Sequence, residues 1–284
     1  MLTLLNRFRS KLSRLTVAVL ARPAESKKPF QLKRLGTDYG GWHFAESRSL
    51  EGSKAVFCGA GEDISFDISF ASIYGAQVFI IDPTPKAISH VNSVLSRIGD
   101  APESSFIPGG KQEATSYNLS EIKPAQVVLL KYALWNRVCT LKFFAPKNSE
   151  HVSHSAVNYQ NSYSSETPFI EVNASSISDL IARNVLPHDI EILKLDIEGA
   201  EHEVIADMLD NGTHPNQILV EYDELIVGSL RGIKRFRKTH KRLCDSGYIL
   251  FFRDGTNYSY ALAELYQLDN IGDPSSLSNS EEKR

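Results

Sequence analysis

The chain has 284 residues, 42% of them hydrophobic and 23% charged, with a formal charge of −3 at pH 7. This is the composition of a globular protein long enough for one large α/β domain with additions, and the charge argues against nucleic acid as the main partner. Cys58, Cys139 and Cys244 are odd in number and far apart, which excludes a disulfide framework or a zinc spacing and leads us to expect a reducing, cytoplasmic setting.

Residues 1–22 hold Arg7, Arg9, Lys11, Arg14 and Arg22 and no acid, with Leu4, Leu5, Phe8, Leu12, Leu15 and Val19 at helical intervals. The pattern predicts a basic amphipathic helix. It is too short in its apolar run to span a bilayer, but suited either to packing on the domain or to weak contact with a membrane surface. We take residues 1–34 as an extension, 35–268 as the domain, and 269–284 as a polar tail. In the segment LGTDYGGWHF (35–44), Gly40 and Gly41 sit beside Tyr39 and Trp42. It either lines a pocket or forms a surface turn whose Trp fills a core gap.

The next unit spans 55–88. Ala55 to Cys58 reads as a strand, Gly59-Ala60-Gly61 as a tight turn, and the residues from Asp63 to Gly75 as a helix. Gln77 to Ile81 reads as a second strand that stops at Asp82-Pro83, with a helix starting at Pro85. Glycines after the first strand let the backbone approach a cofactor, and an acid ending the second can accept both hydroxyls of a ribose.

Residues 99–125 are loop-rich. Residues 125–136 and 138–146 predict two strands joined at Asn136-Arg137 as a hairpin. The polar stretch 147–167, with His151 and His154, suits either a loop over a site or a surface excursion. A short strand at 169–172 and a helix capped by Ser175 or Ser176 follow.

The stretch LKLDIEGAEHEVIADML (193–209) then reads as a buried strand, a turn at Gly199 and an amphipathic helix. It brings Asp196 and Glu198 to the strand's carboxyl end, where open α/β sheets bind ligands; the alternative is that both only cap the helix. Glu201, in the first helical turn, is expected to complement the helix dipole. A further strand, 217–225, ends in Glu221, Asp223 and Glu224. A basic helix at 231–248 is predicted to bury Ile233, Phe236, Leu243 and Cys244, and strands at 248–254 and 257–265 close the chain as a hairpin with a bulged or three-residue turn.

LKLDIEGAE with Glu203, Val204 and Ile205 closely resembles the signature of the FkbM family of S-adenosylmethionine-dependent methyltransferases. The GW segment at 40–42, GAGEDISFD (59–67), IDPTP (81–85), the strand pair near 131–144, IEVNASSISDL (170–180) and ILVEYDE (218–224) resemble the same family in order, over residues 35–265. The resemblance implies a Rossmann-like class I methyltransferase sheet, mostly parallel, with a closing antiparallel hairpin and helices on both faces. It implies S-adenosylmethionine on the turn Gly59, Ala60 and Gly61, with Asp82-Pro83 at its ribose; either Asp63 takes over the amine contact or the cofactor sits slightly differently. It also implies O-methyl transfer to a hydroxyl of a sugar, glycolipid or other small polyhydroxylated acceptor.

Asp196 is the candidate base, with Glu198 or Glu221 orienting the acceptor. A divalent cation on Asp196, Glu198 and Glu221 is a variant that is not favoured. Two departures from the pattern stand out: Phe57 where many methyltransferases carry an acid, and Asp63 where a glycine is usual. A nucleotide-cofactor (NAD-type) oxidoreductase and a non-catalytic binding protein that keeps the fold are the rival readings.

Overall fold

A computed structural model describes residues 23, 25–26, 30–144, 167–227 and 229–265. The basic segment 1–22, nearly all of the polar stretch 147–167 with His151 and His154, and the tail lie outside these residues. Among the described residues no helix is long and apolar enough to cross a membrane.

The centre is a seven-stranded sheet. In chain order its strands are β3 (Lys54–Cys58), β4 (Gln77–Ile81), β5 (Val127–Leu130), β9 (Ile192–Leu195), β10 (Gln217–Glu221), β11 (Tyr248–Asp254) and β12 (Asn257–Leu262). Across the sheet they run β11-β12-β10-β9-β3-β4-β5. The β10–β9, β9–β3, β3–β4 and β4–β5 pairs are parallel, while β12 runs antiparallel between β10 and β11. Central strands covered on both faces are predominantly apolar, and β9 is buried at all four positions, Lys194 included. Alternate residues feed two cores: Val56 and Cys58 of β3 join one, Ala55 and Phe57 the other.

Helices α1 (Ser65–Tyr74) and α2 (Pro85–Leu95) cover the second face, and α3 (Ile177–Ala182), α4 (Glu201–Asp210) and α6 (Leu230–Asp245) the first, with a single turn, α5 (Glu224–Val227), leading into α6. Their ends follow local chemistry. Gly75 closes α1 in the left-handed conformation, Pro85 opens α2, and Ser176 caps α3 by accepting from the Asp179 N–H at 3.1 Å. Along α6 the buried stripe is Gly232, Ile233, Phe236, Thr239 and Leu243. Cys244, expected in that stripe, is exposed, because it lies one residue, about 100° of helix, past Leu243.

Two expectations about strand pairing are corrected. Residues 125–136 and 138–146 do not form a hairpin. β5 is committed to β4, the pair Val78–Val127 starting the ladder. The chain then leaves the main sheet, and β6 (Ala133–Leu134) and β7 (Cys139–Phe144) both pair with β8 (Phe169–Ser175), in the order β6-β8-β7. The closing hairpin does form, but with a two-residue turn, Gly255-Thr256, since Asp254 pairs with Asn257; its bulge lies inside the strand, between Leu250 and Phe252. A last pair, β1 (Leu32–Leu35) with β2 (Trp42–Ala45), is stitched onto the main sheet by buried Gln217, whose side-chain amide bonds both the N–H and the carbonyl of Ala45 at 2.8 Å. Ahead of it, the Ser26 N–H donates to the Leu250 carbonyl and the Phe30 ring packs on Phe251.

Candidate active site

Strand register builds the site. Ile81 pairs with Cys58, Cys58 with Leu195, and Leu195 with Val220. The next residue on each strand, Asp82, Gly59, Asp196 and Glu221, therefore stands in one row along the carboxyl edge. The chain reverses its winding between β3 and β9, the place where such sheets open a crevice. A cavity of about 450 Å³ lies there, lined by all four.

Gly59 sits at φ +83°, and a Cβ there would lie 1.8 Å from the Asp196 carbonyl oxygen. The close crossing of β3 and β9 demands this glycine before any ligand does. Asp82 holds the turn: its Oδ2 accepts from the N–H groups of Ala60 (2.9 Å) and Gly61 (3.3 Å), and its Oδ1 from the N–H and hydroxyl of Thr84. Lys194, the one charged residue of the otherwise apolar β9, is buried, donates from Nζ to the Gly59 carbonyl at 3.0 Å and lies 5.7 Å from the Trp42 ring centre. Pro83 lines the cavity beside Asp82.

Asp63 closes the other side of the turn. Its Oδ1 accepts from the Ser65 N–H, starting α1, and its Oδ2 from the Thr37 hydroxyl at 2.6 Å. Gly40 packs against that carboxylate, leaving no room for a Cβ, so Asp63 anchors the Tyr39–Trp42 rim. Trp42 is both core and cavity wall. Phe57 points away from the site, into rings of Phe66 and Phe70 at 4.9 and 5.4 Å, so an acid at this position would face an aromatic core.

Asp196, Glu198 and Asp223 each bring one carboxylate oxygen to within 4.8 Å of the others. Glu198 is held at φ +57°, a conformation costly for a side chain with a Cβ. Glu201, 1% exposed, stabilises that turn: its Oε1 accepts from the N–H groups of Ile197 (2.9 Å) and Gly199 (3.2 Å). It thus does more than complement the helix dipole; it clamps the turn that aims Glu198.

Asp223 follows the end of β10, on a segment fixed from below. Glu224 bonds His202 Nε2 at 2.6 Å and is paired with Arg235, while the His202 ring stacks on Tyr222. Glu221 instead accepts from the Thr256 hydroxyl at 2.9 Å. The cation variant drawn on Asp196, Glu198 and Glu221 is therefore corrected: Asp223 completes the triangle of oxygens.

The acids raise one another. Burial, then Glu221, pushes Asp196 up to about 7, and burial, then Glu198, pushes Asp223 up to about 11. Burial also raises Glu221 and lifts Glu201 to about 8.

The structure thus brings together every sequence-predicted site residue, Gly59, Ala60, Gly61, Asp63, Asp82, Pro83, Asp196, Glu198 and Glu221, around one cavity. Sequence reasoning missed Lys194 and Asp223 as site residues. The signal for Lys194 was present, a lone cation inside an apolar strand; Asp223 gave only an acid two residues past a strand end.

The strand order, with one antiparallel strand inserted next to the edge, and the crevice at the β3/β9 reversal define a doubly wound, Rossmann-like methyltransferase fold. Residues 58–250 match the family model of the methyltransferase FkbM domain, and the chain belongs to that family of methyltransferases. Comparison with curated proteins and with solved structures gave no match.

Proposed function

We propose that this methyltransferase uses S-adenosylmethionine and methylates a hydroxyl of a sugar, glycolipid or other small polyhydroxylated acceptor. The observation that carries the reading is the charge of the cavity. Seven acidic side chains line it, from Glu62, Asp63, Asp82, Asp196, Glu198, Glu221 and Asp223, against the one ammonium of Lys194, so acids outnumber the cation even with Asp223 holding its proton. A cofactor bearing a sulfonium and an amine suits such walls. A dinucleotide pyrophosphate does not: the turn amides of Ala60 and Gly61 that would bind it already donate to Asp82, which weighs against the oxidoreductase.

Gly59, Ala60 and Gly61 would pass along the methionine portion, Asp63 would face its amine, and Asp82, beside Pro83, would meet the ribose. Bound there, the cofactor supplies a methyl group on an electrophilic sulfur. The chain's own part is to orient the acceptor and take one proton. Asp196 would accept the hydroxyl proton on its carboxylate, with Glu198 or Glu221 orienting the acceptor. Tyr39 and Trp42 line the same cavity. The three free cysteines support a cytoplasmic setting, and a weak membrane contact through residues 1–22 belongs to the same proposal.

The test is transfer of a labelled methyl group from S-adenosylmethionine to a panel of sugars and glycolipids. Label in a base-stable methyl ether supports the reading; label confined to nitrogen, or none on any hydroxyl, refutes it.

A further inference from the structure

The carboxylate triangle has two features that methyl transfer by a base alone leaves unexplained. The first is its geometry. Three oxygens, one each from Asp196, Glu198 and Asp223, all lie within 4.8 Å of one another. Two ligands of one ion are separated by at most twice the metal–oxygen distance, about 4.2 Å for Mg²⁺ and about 4.8 Å for Ca²⁺. Oxygens gathered within 4.8 Å of one another can reach one coordination shell by small side-chain movements.

The second is an unmet demand for positive charge. Asp223 is 7% exposed and lines the cavity, and its Oδ2 is enclosed with no hydrogen-bond partner. Asn257, in the same wall, has a side-chain carbonyl oxygen, Oδ1, enclosed in the same way. Enclosed acceptors without a donor are rare and costly. Among the described residues the only Lys, Arg or His lining the cavity is Lys194, and its Nζ is turned to the Gly59 carbonyl.

We propose that Asp196, Glu198 and Asp223 form a binding site for one hard divalent cation of the Mg²⁺ or Mn²⁺ class, whose open positions take two neighbouring oxygens of the acceptor. Three oxygen ligands leave such an ion with positions for water or substrate, and an acceptor carrying adjacent hydroxyls fits them as a chelate. Each carboxylate supplies one oxygen, so Asp196 keeps its second for the acceptor's proton. The cation site stands on the carboxylates alone; the acceptor's place on it rests on the methyl-transfer reading.

The experiment titrates the metal-stripped full-length chain with MnCl₂, followed by the electron paramagnetic resonance of free Mn²⁺, for the wild type and Asp223→Asn. One Mn²⁺ is expected in the wild type, with affinity about ten-fold or more weaker in the variant. In parallel melts, Mn²⁺ should raise the wild-type Tm by more than that of the variant at the same concentration. Absence of wild-type binding, or equal binding and equal Tm shifts in both chains, overturns the site. S-adenosylhomocysteine is titrated into the same samples. Mn²⁺ binding without S-adenosylhomocysteine binding upholds the cation site and removes the methyl-transfer reading with its acceptor chelate.

Discussion

Replacing Gly59 with alanine tests whether the crossing of β3 and β9 sets the site. Two costs add. The backbone at φ +83° disfavours any Cβ, by about 1–2 kcal/mol. The new methyl would also lie 1.8 Å from the carbonyl oxygen of Asp196, a backbone atom that no rotamer change can move, and such overpacking costs about 1–3 kcal/mol. The total is about 2–5 kcal/mol.

Gly75→Ala is the internal control. Its φ is +59° with no atom within 4 Å of the added Cβ, so it should lose only the backbone part, about 1–2 kcal/mol. At about 2–4 °C per kcal/mol for a domain of this size, Gly59→Ala should melt several degrees below Gly75→Ala in calorimetry. The displaced strand ends carry Asp196 and the Gly59 carbonyl that holds Lys194, so its cofactor affinity should also fall while that of Gly75→Ala holds. If the two variants melt together and bind the cofactor alike, the crossing does not govern the site.

Asp196→Asn should bind S-adenosylhomocysteine in calorimetry yet lose about 10²-fold or more in turnover; retained turnover would remove Asp196 from the proton-transfer role. Asp67, 1% exposed on α1 with neither oxygen partnered by another residue, has its pKa raised, chiefly by burial. Above the unfolded value near 3.8, the unfolded chain sheds this proton while the folded chain keeps it. Stability from this group is thus full below that pH and declines as pH rises toward the folded value, by at most about 1.4 kcal/mol per pH unit. Asp67→Asn should flatten the dependence of Tm on pH above 4, and an unchanged slope would contradict the assignment. Ser176→Ala removes the cap of α3 and should cost about 1 kcal/mol in urea unfolding, with no change in m.

The parts of the fold that were legible are those in which one strand's own pattern decides its place. The apolar runs at β3, β4, β9 and β10 can only be central strands, and acids just past their ends can only lie on the carboxyl edge. What stayed hidden depends on partners far along the chain. β6 and β7 pair with β8, some thirty residues away from β7, so a local hairpin was the nearest reading of an apolar stretch whose true partner lay beyond a polar loop. The stitching of β2 to β10 rests on one glutamine bonded across 172 positions, which no periodicity announces. Asp223 was hidden for a similar reason: its place beside Asp196 and Glu198 is set by the His202–Glu224–Arg235 network beneath it, and that network joins three separate helices. Lys194 was legible but overlooked, since the apolar residues around it dominated the strand pattern.

The central claim, a cationic methyl donor in an acid-lined crevice, is tested most directly by titration calorimetry of the wild-type chain with S-adenosylhomocysteine and with NADH. One S-adenosylhomocysteine per chain and no heat of binding from NADH is the predicted result. Binding of NADH, or of neither, would contradict it.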